Sequence, residues 1–134
     1  MNNLPIELIY RIMAYTYQPQ PSFLLEDIRD FHKSREIMNE MYLKKWCHHR
    51  SEVHSDWLIN DIFIYMNKSQ PTMFGYCNHF RNIINRNPFI KDAEVYIRST
   101  ELEPVQTQIN RFVSLFNVYE RKEFINQDFL LEQD

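Results

Sequence analysis

Leu4-Pro5-Ile6-Glu7-Leu8-Ile9-Tyr10-Arg11-Ile12-Met13-Ala14-Tyr15 is the stretch on which the reading of this chain turns. Pro5 suits the first turn of a helix, where its missing N–H costs nothing. The apolar residues after it crowd one short element. On a helical wheel Leu4, Leu8, Tyr15, Ile12, Ile9, Met13 and Ile6 fill an arc of roughly 200°, about twice the stripe a surface helix needs. Tyr10, Ala14, Glu7 and Arg11 take the remainder. Such a helix predicts two packing partners. One is the chain's own core; the other is either more of this chain or a separate protein.

Working outward, prolines at 5, 19, 21, 71, 88 and 104 each stand near an expected helix boundary. Gln18-Pro19-Gln20-Pro21 ends the first helix. Ser22 caps the next, with Leu24, Ile28 and Phe31 at helical spacing. His32-Lys33-Ser34 reads as a break, after which Ile37, Met38, Met41, Tyr42 and Trp46 continue. Residues 47–55 read as a polar connector. Trp57 to Met66 leaves almost no polar face and predicts a buried helix, with a short strand over 62–66 as the alternative. After the turn Ser69-Gln70-Pro71-Thr72, the residues Met73, Cys77, Phe80 and Ile84 share one face of an amphipathic helix ended by Asn87-Pro88. Residues 93–98 form a short helix or a strand. Thr100-x-x-Glu103 fits a capping box before a helix carrying Val105, Ile109, Phe112, Phe116 and Tyr119. The tail from Asn126 is either a last short helix or an exposed docking segment.

One glycine in 134 residues is far below the usual share of about 7%. Tight hairpins and phosphate-binding loops lean on glycine, so its scarcity points to helices and against Walker or Rossmann sites. The expected fold is all-α. With 44% hydrophobic and 15% aromatic residues the chain has ample material for a core. No window approaches a membrane span. The three polar residues ahead of the motif do not resemble a signal peptide. Two cysteines make no disulfide framework, and the expected compartment is the cytosol or nucleus. Richness in Asn, Ile and Tyr points to an AT-rich genome, such as those of some large DNA viruses.

Leu4-Pro5-x-Glu7-Leu8-Ile9-x-x-Ile12-x-x-Tyr15 resembles the opening of an F-box, the three-helix module that docks onto the Skp1 subunit of a cullin–RING ubiquitin ligase. The resemblance continues through the proline break into Leu24-Leu25-x-Asp27-Ile28 and closes near Trp46. It implies an F-box-like module over residues 1–48, followed over 49–134 by a small helical domain or a continuous helical bundle. It implies that Leu4, Pro5, Leu8, Ile9 and Ile12, helped by Leu24, Leu25 and Ile28, lie against a Skp1-like protein. The C-terminal helices would then hold a target protein. Leucine-rich and WD40 repeats are absent. The alternative is a compact all-helical interaction protein with no ubiquitin role, either a homo-oligomer or a structural partner of another protein.

Other chemistries find weaker support. Cys47, His48, His49, His54, Cys77 and His79 are soft-metal ligand types, but without the paired spacing of a zinc site. Cys47 or Cys77 beside a histidine carries no local signature of a catalytic nucleophile. No enzyme activity, metal or cofactor is expected. Lys44, Lys45, Trp46 and Arg50, or Arg81 and Arg86, offer phosphate contacts, but a net charge of −3 argues against nucleic acid.

Overall fold

The computed structural model describes residues 4–13, 22–45 and 53–132. The expected end of the first helix at Tyr15, the connector 17–21, Trp46 and the Cys47-His48-His49-Arg50 stretch lie outside them, as does the boundary expected at residue 48. Among the described residues the fold is all-helical: α1 Ile6–Met13, α2 Ser22–Lys45, α3 Val53–Met66, α4 Asn78–Asn85, α5 Ala93–Glu101, α6 Val105–Leu115 and α7 Val118–Glu132. No strand occurs over 62–66 or 94–98.

Three expectations are corrected. First, α2 runs unbroken through His32-Lys33-Ser34. Leu24, Asp27, Phe31, Ser34, Met38 and Tyr42 form one buried stripe, so Ser34 faces inward and no Gly or Pro interrupts the ladder. The two shorter helices expected there are thus one helix of 24 residues. Second, α4 begins at Asn78, not near Met73. Met73 and Phe74 sit in a short 3-10 turn, 82% and 85% exposed. Gly75, at φ +106°, ends that turn in a conformation that favours glycine. The buried Asn67 side chain fixes the loop: its amide donates to Gln70 O and Gly75 O at 3.0 and 3.2 Å, and its carbonyl accepts from Cys77 N at 2.7 Å. Third, Thr100 is not a helix cap. It is buried within α5, and α6 starts after Pro104 without a side-chain cap.

The reciprocal cap lies elsewhere. Asn117 Oδ1 accepts from Glu120 N at 2.8 Å, and Glu120 Oε1 accepts from Asn117 N at 2.9 Å. That pair starts α7 and cuts the helical period expected to run from Val105 to Tyr119. Tyr119 falls outside the core as a result.

The core draws on every helix. Leu8 of α1 and Phe31, Met38 and Tyr42 of α2 pack in one cluster with Leu58, Ile62, Phe80, Ile97, Phe112 and Phe124. Phe112 receives Phe63 edge-on at 5.1 Å, an arrangement the ring quadrupoles favour. The packing therefore runs across residue 48. Residues 50–134 alone lack a wall of their core, so this fragment is expected to show no cooperative urea transition by circular dichroism.

Arg121 of α7 is fully buried. Its Nη1 donates to Asp27 Oδ1 at 2.6 Å and to Asp30 Oδ2 at 3.1 Å, and its Nε to Val113 O at 3.0 Å. A buried guanidinium is stable only when paired this fully. Arg121→Met removes the donor and leaves buried acceptors behind. It should lower unfolding free energy by on the order of 3 kcal/mol, read from urea midpoints.

Candidate functional site

The orientation of α1 decides which surface remains available. The wheel places Glu7 and Arg11 off the apolar arc, and the structure commits both to partners within the fold, Glu7 fully and Arg11 with a third of its side chain exposed. Glu7 is fully buried, accepting from the Tyr96 hydroxyl of α5 and, at 3.3 Å, from the Ser114 hydroxyl of α6. Arg11 pairs with Asp27 of α2 and donates to Ser114 O at 3.2 Å. The Glu7 carbonyl accepts from Asn87 Nδ2 at 3.5 Å, which ties the α4–α5 loop to the same helix.

With its polar groups committed inside, α1 presents apolar residues outside. Ile6 is 41% exposed and Ile9 37%. The implied docking residues separate accordingly. Leu8 and Leu24 are buried in the protein's own interior. Leu4, Pro5, Ile12 and Ile28 are half-buried, while Ile9 and Leu25 are exposed. Ile6 and Phe23, absent from the implied set, are exposed beside them. Exposure of Ile6 has no signal in local periodicity, because it follows from where Glu7 finds its distant partners.

Around α1 the surface is hollowed on two sides. Tyr10 stacks on Phe89 with ring centroids 4.9 Å apart. On one side of this ridge lies a hollow of about 730 Å³, walled by Phe23, Leu115 and Val118. On the other lies one of about 580 Å³, walled by Ile6, Val95 and Tyr96. Both volumes fall within the range of ligand and peptide pockets. Their linings are mainly apolar, suited to seating side chains rather than to chemistry.

The remaining sequence candidates do not converge. Among the described residues no three His, Cys, Asp or Glu side chains approach closely enough to hold a metal. Cys77 is a free thiol, half-buried. Arg81 pairs with Glu94 and Arg86 with Glu120, both at 2.6 Å, so carboxylates offset their charge. Lys44 and Lys45 are exposed at the end of α2. No described helix is long and apolar enough to cross a membrane.

The Glu7–Tyr96 contact has a measurable signature. Burial, and then the neighbouring Glu7 carboxylate, hold the Tyr96 hydroxyl well above the ordinary tyrosine value. The folded state thus binds this proton more tightly than the unfolded chain, whose tyrosines titrate near pH ~10. The stabilisation is full below that pH and is lost as pH rises above it. Tyr96→Phe should shallow the alkaline fall in urea midpoint. At neutral pH it should cost roughly 1–3 kcal/mol, because Glu7 loses a buried donor.

Comparison of the chain with protein families, curated proteins and solved structures finds no match to any of them.

Proposed function

We propose that the chain is a docking adaptor whose partner-binding surface is the outer flank of α1 with the start of α2. A helix that fully buries its Glu, pairs its Arg with Asp27 and leaves two isoleucines about two-fifths exposed is the observation that carries this reading. Ordinary surface helices do the reverse. The resemblance of Leu4 to Tyr15 to an F-box opening supplies the partner: a Skp1-like protein of a cullin–RING ubiquitin ligase, in the cytosol or nucleus of the cell where the protein acts. In this reading the chain has no catalytic group of its own. It presents a target protein, held by the C-terminal helices, to a ligase-bound ubiquitin conjugate.

The contact would rest on Ile9 and Leu25, with Ile6 and Phe23 alongside and Leu4, Pro5, Ile12 and Ile28 at the margin. Leu8 and Leu24 would shape it from beneath. Full burial of an isoleucine side chain is worth roughly 1.5–3 kcal/mol, and about two-fifths of Ile6 and Ile9 remains to be covered. Each then adds on the order of 1 kcal/mol, a contribution typical of the apolar anchors in helix-in-groove recognition.

The interior positions of Leu8 and Leu24 favour a second reading, a compact helical interaction protein with no ubiquitin role. Coexpression separates the two. Ile9→Asp with Leu25→Asp changes two side chains about two-fifths exposed, and should keep the helical circular dichroism spectrum while abolishing co-purification with Skp1. If the wild-type chain fails to retain Skp1, or the double variant retains it fully, the adaptor reading falls and the compact interaction protein stands.

A further inference from the structure

Arg11, Arg81, Arg86, Arg111 and Arg121 each meet a carboxylate. Arg35 of α2 is half-buried, yet it pairs with none among the described residues. Neutral amides of α6 hold it instead. Its Nε donates to Asn110 Oδ1 at 2.7 Å and its Nη2 to Gln106 Oε1 at 3.1 Å. Nη1 is shut off from solvent and has no acceptor. Burial lowers the guanidinium pKa to about 10, and no carboxylate offsets that shift. A desolvated cation with an unmatched donor favours an anion. Gln106 also reaches a third helix. Its Nε2 donates at 2.6 Å to Oγ of Ser55, which is buried in the first turn of α3. His54 Nε2 lies 3.4 Å from the same oxygen. The Gln106 amide thus stands between a guanidinium on α2 and a hydroxyl on α3. Its residue is exposed, so the side chain can turn out into water, a motion of picoseconds to nanoseconds for exposed rotamers.

We propose that Arg35 and Ser55 form a binding site for a phosphate group, which enters by displacing the Gln106 side chain from between them. The guanidinium then offers Nη1 and Nη2 as a fork to two phosphate oxygens, and the Ser55 hydroxyl donates to a third. The exchange gives Nη2 a charged acceptor in place of a neutral one and gives Nη1 its missing partner. Hydrogen bonds between ionised groups are roughly twice as strong as neutral ones. A planar carboxylate has two oxygens and satisfies the fork alone, whereas a tetrahedral phosphate reaches the serine as well. The site is built on α2, α3 and α6, apart from the Ile9–Leu25 flank, and stands whether or not that flank docks a protein.

Calorimetric titration of the full chain with inorganic phosphate, against chloride at matched ionic strength, tests the site. One phosphate should bind per chain, and acetate should bind more weakly. Arg35→Met should abolish the heat. Arg35→Lys keeps the charge but loses the fork, and should bind about tenfold more weakly. Gln106→Ala, at an exposed position, should bind more tightly than the wild type, because no side chain has to be displaced. A purely structural role for Gln106 gives no such gain. Glycerol phosphate in place of inorganic phosphate separates an esterified source from the free ion: the tighter binder names it. No heat above the chloride control, acetate binding as tightly as phosphate, equal heat from Arg35→Met (an adventitious ion only), or no gain in Gln106→Ala would overturn the proposal.

Discussion

The last carbonyls of α6 lack the full backbone partners of a helix interior, Val113 O taking only the cap N–H of Phe116 at 3.2 Å, and the fold is arranged around supplying them with donors. Three guanidiniums converge there from three parts of the chain. Arg121 of α7 reaches Val113 O, Arg11 of α1 reaches Ser114 O, and Arg86 at the end of α4 reaches Leu115 O. Cations at a helix C-terminus are favoured by the dipole as well as by hydrogen bonding. Each arginine also meets a carboxylate, Asp27 for the first two and Glu120 for the third. One helix end thus fixes the positions of α1, α2, α4 and α7 together. Asp27 serves two arginines at once, which couples α2 to both ends of the sequence.

The orientation of α1 is a consequence of that junction. A short helix of mixed composition can be turned either way about its axis by packing alone. Arg11 at the α6 terminus and Glu7 between Tyr96 and Ser114 settle the choice. The alternative rotation would part the buried Glu7 carboxylate from the Tyr96 hydroxyl that donates to it. A buried carboxylate without donors costs more than partly exposed isoleucines. The apolar flank left outside is thus the outcome of polar satisfaction inside, and the ridge of Tyr10 on Phe89 follows from the same placement.

Much of the helical architecture was legible from the sequence because apolar period and proline placement are local signals. The helices around Pro5, Trp57, Phe80 and Ile109 all follow from them. The failures share a cause. His32-Lys33-Ser34 reads as a break in isolation, yet Ser34 sits on the inward stripe of α2, where tertiary packing overrides a weak local preference. Thr100-x-x-Glu103 and Asn117-x-x-Glu120 satisfy the same capping pattern, and only the second is used. Met73 matches the period of α4, but Asn67, ten residues before Cys77, pins the intervening loop. The inward partners of Glu7 and Arg11 carry no local signal, because they lie 16 to 107 positions away, beyond any periodic window.

That remoteness has a bearing on how the chain is made. Arg121 emerges from the ribosome 94 residues after the aspartate it neutralises, and the serine beside Glu7 comes 107 residues after it. Until those arrive, Asp27 has only Arg11 as counter-charge and the first two helices lack the α6 and α7 side of their hydrophobic wall. Contacts of such separation are slow to close and leave apolar segments uncovered in the meantime. The N-terminal third is therefore synthesised first and secured last, and throughout that interval its greasy helix is open to whatever chaperone or binding protein reaches it.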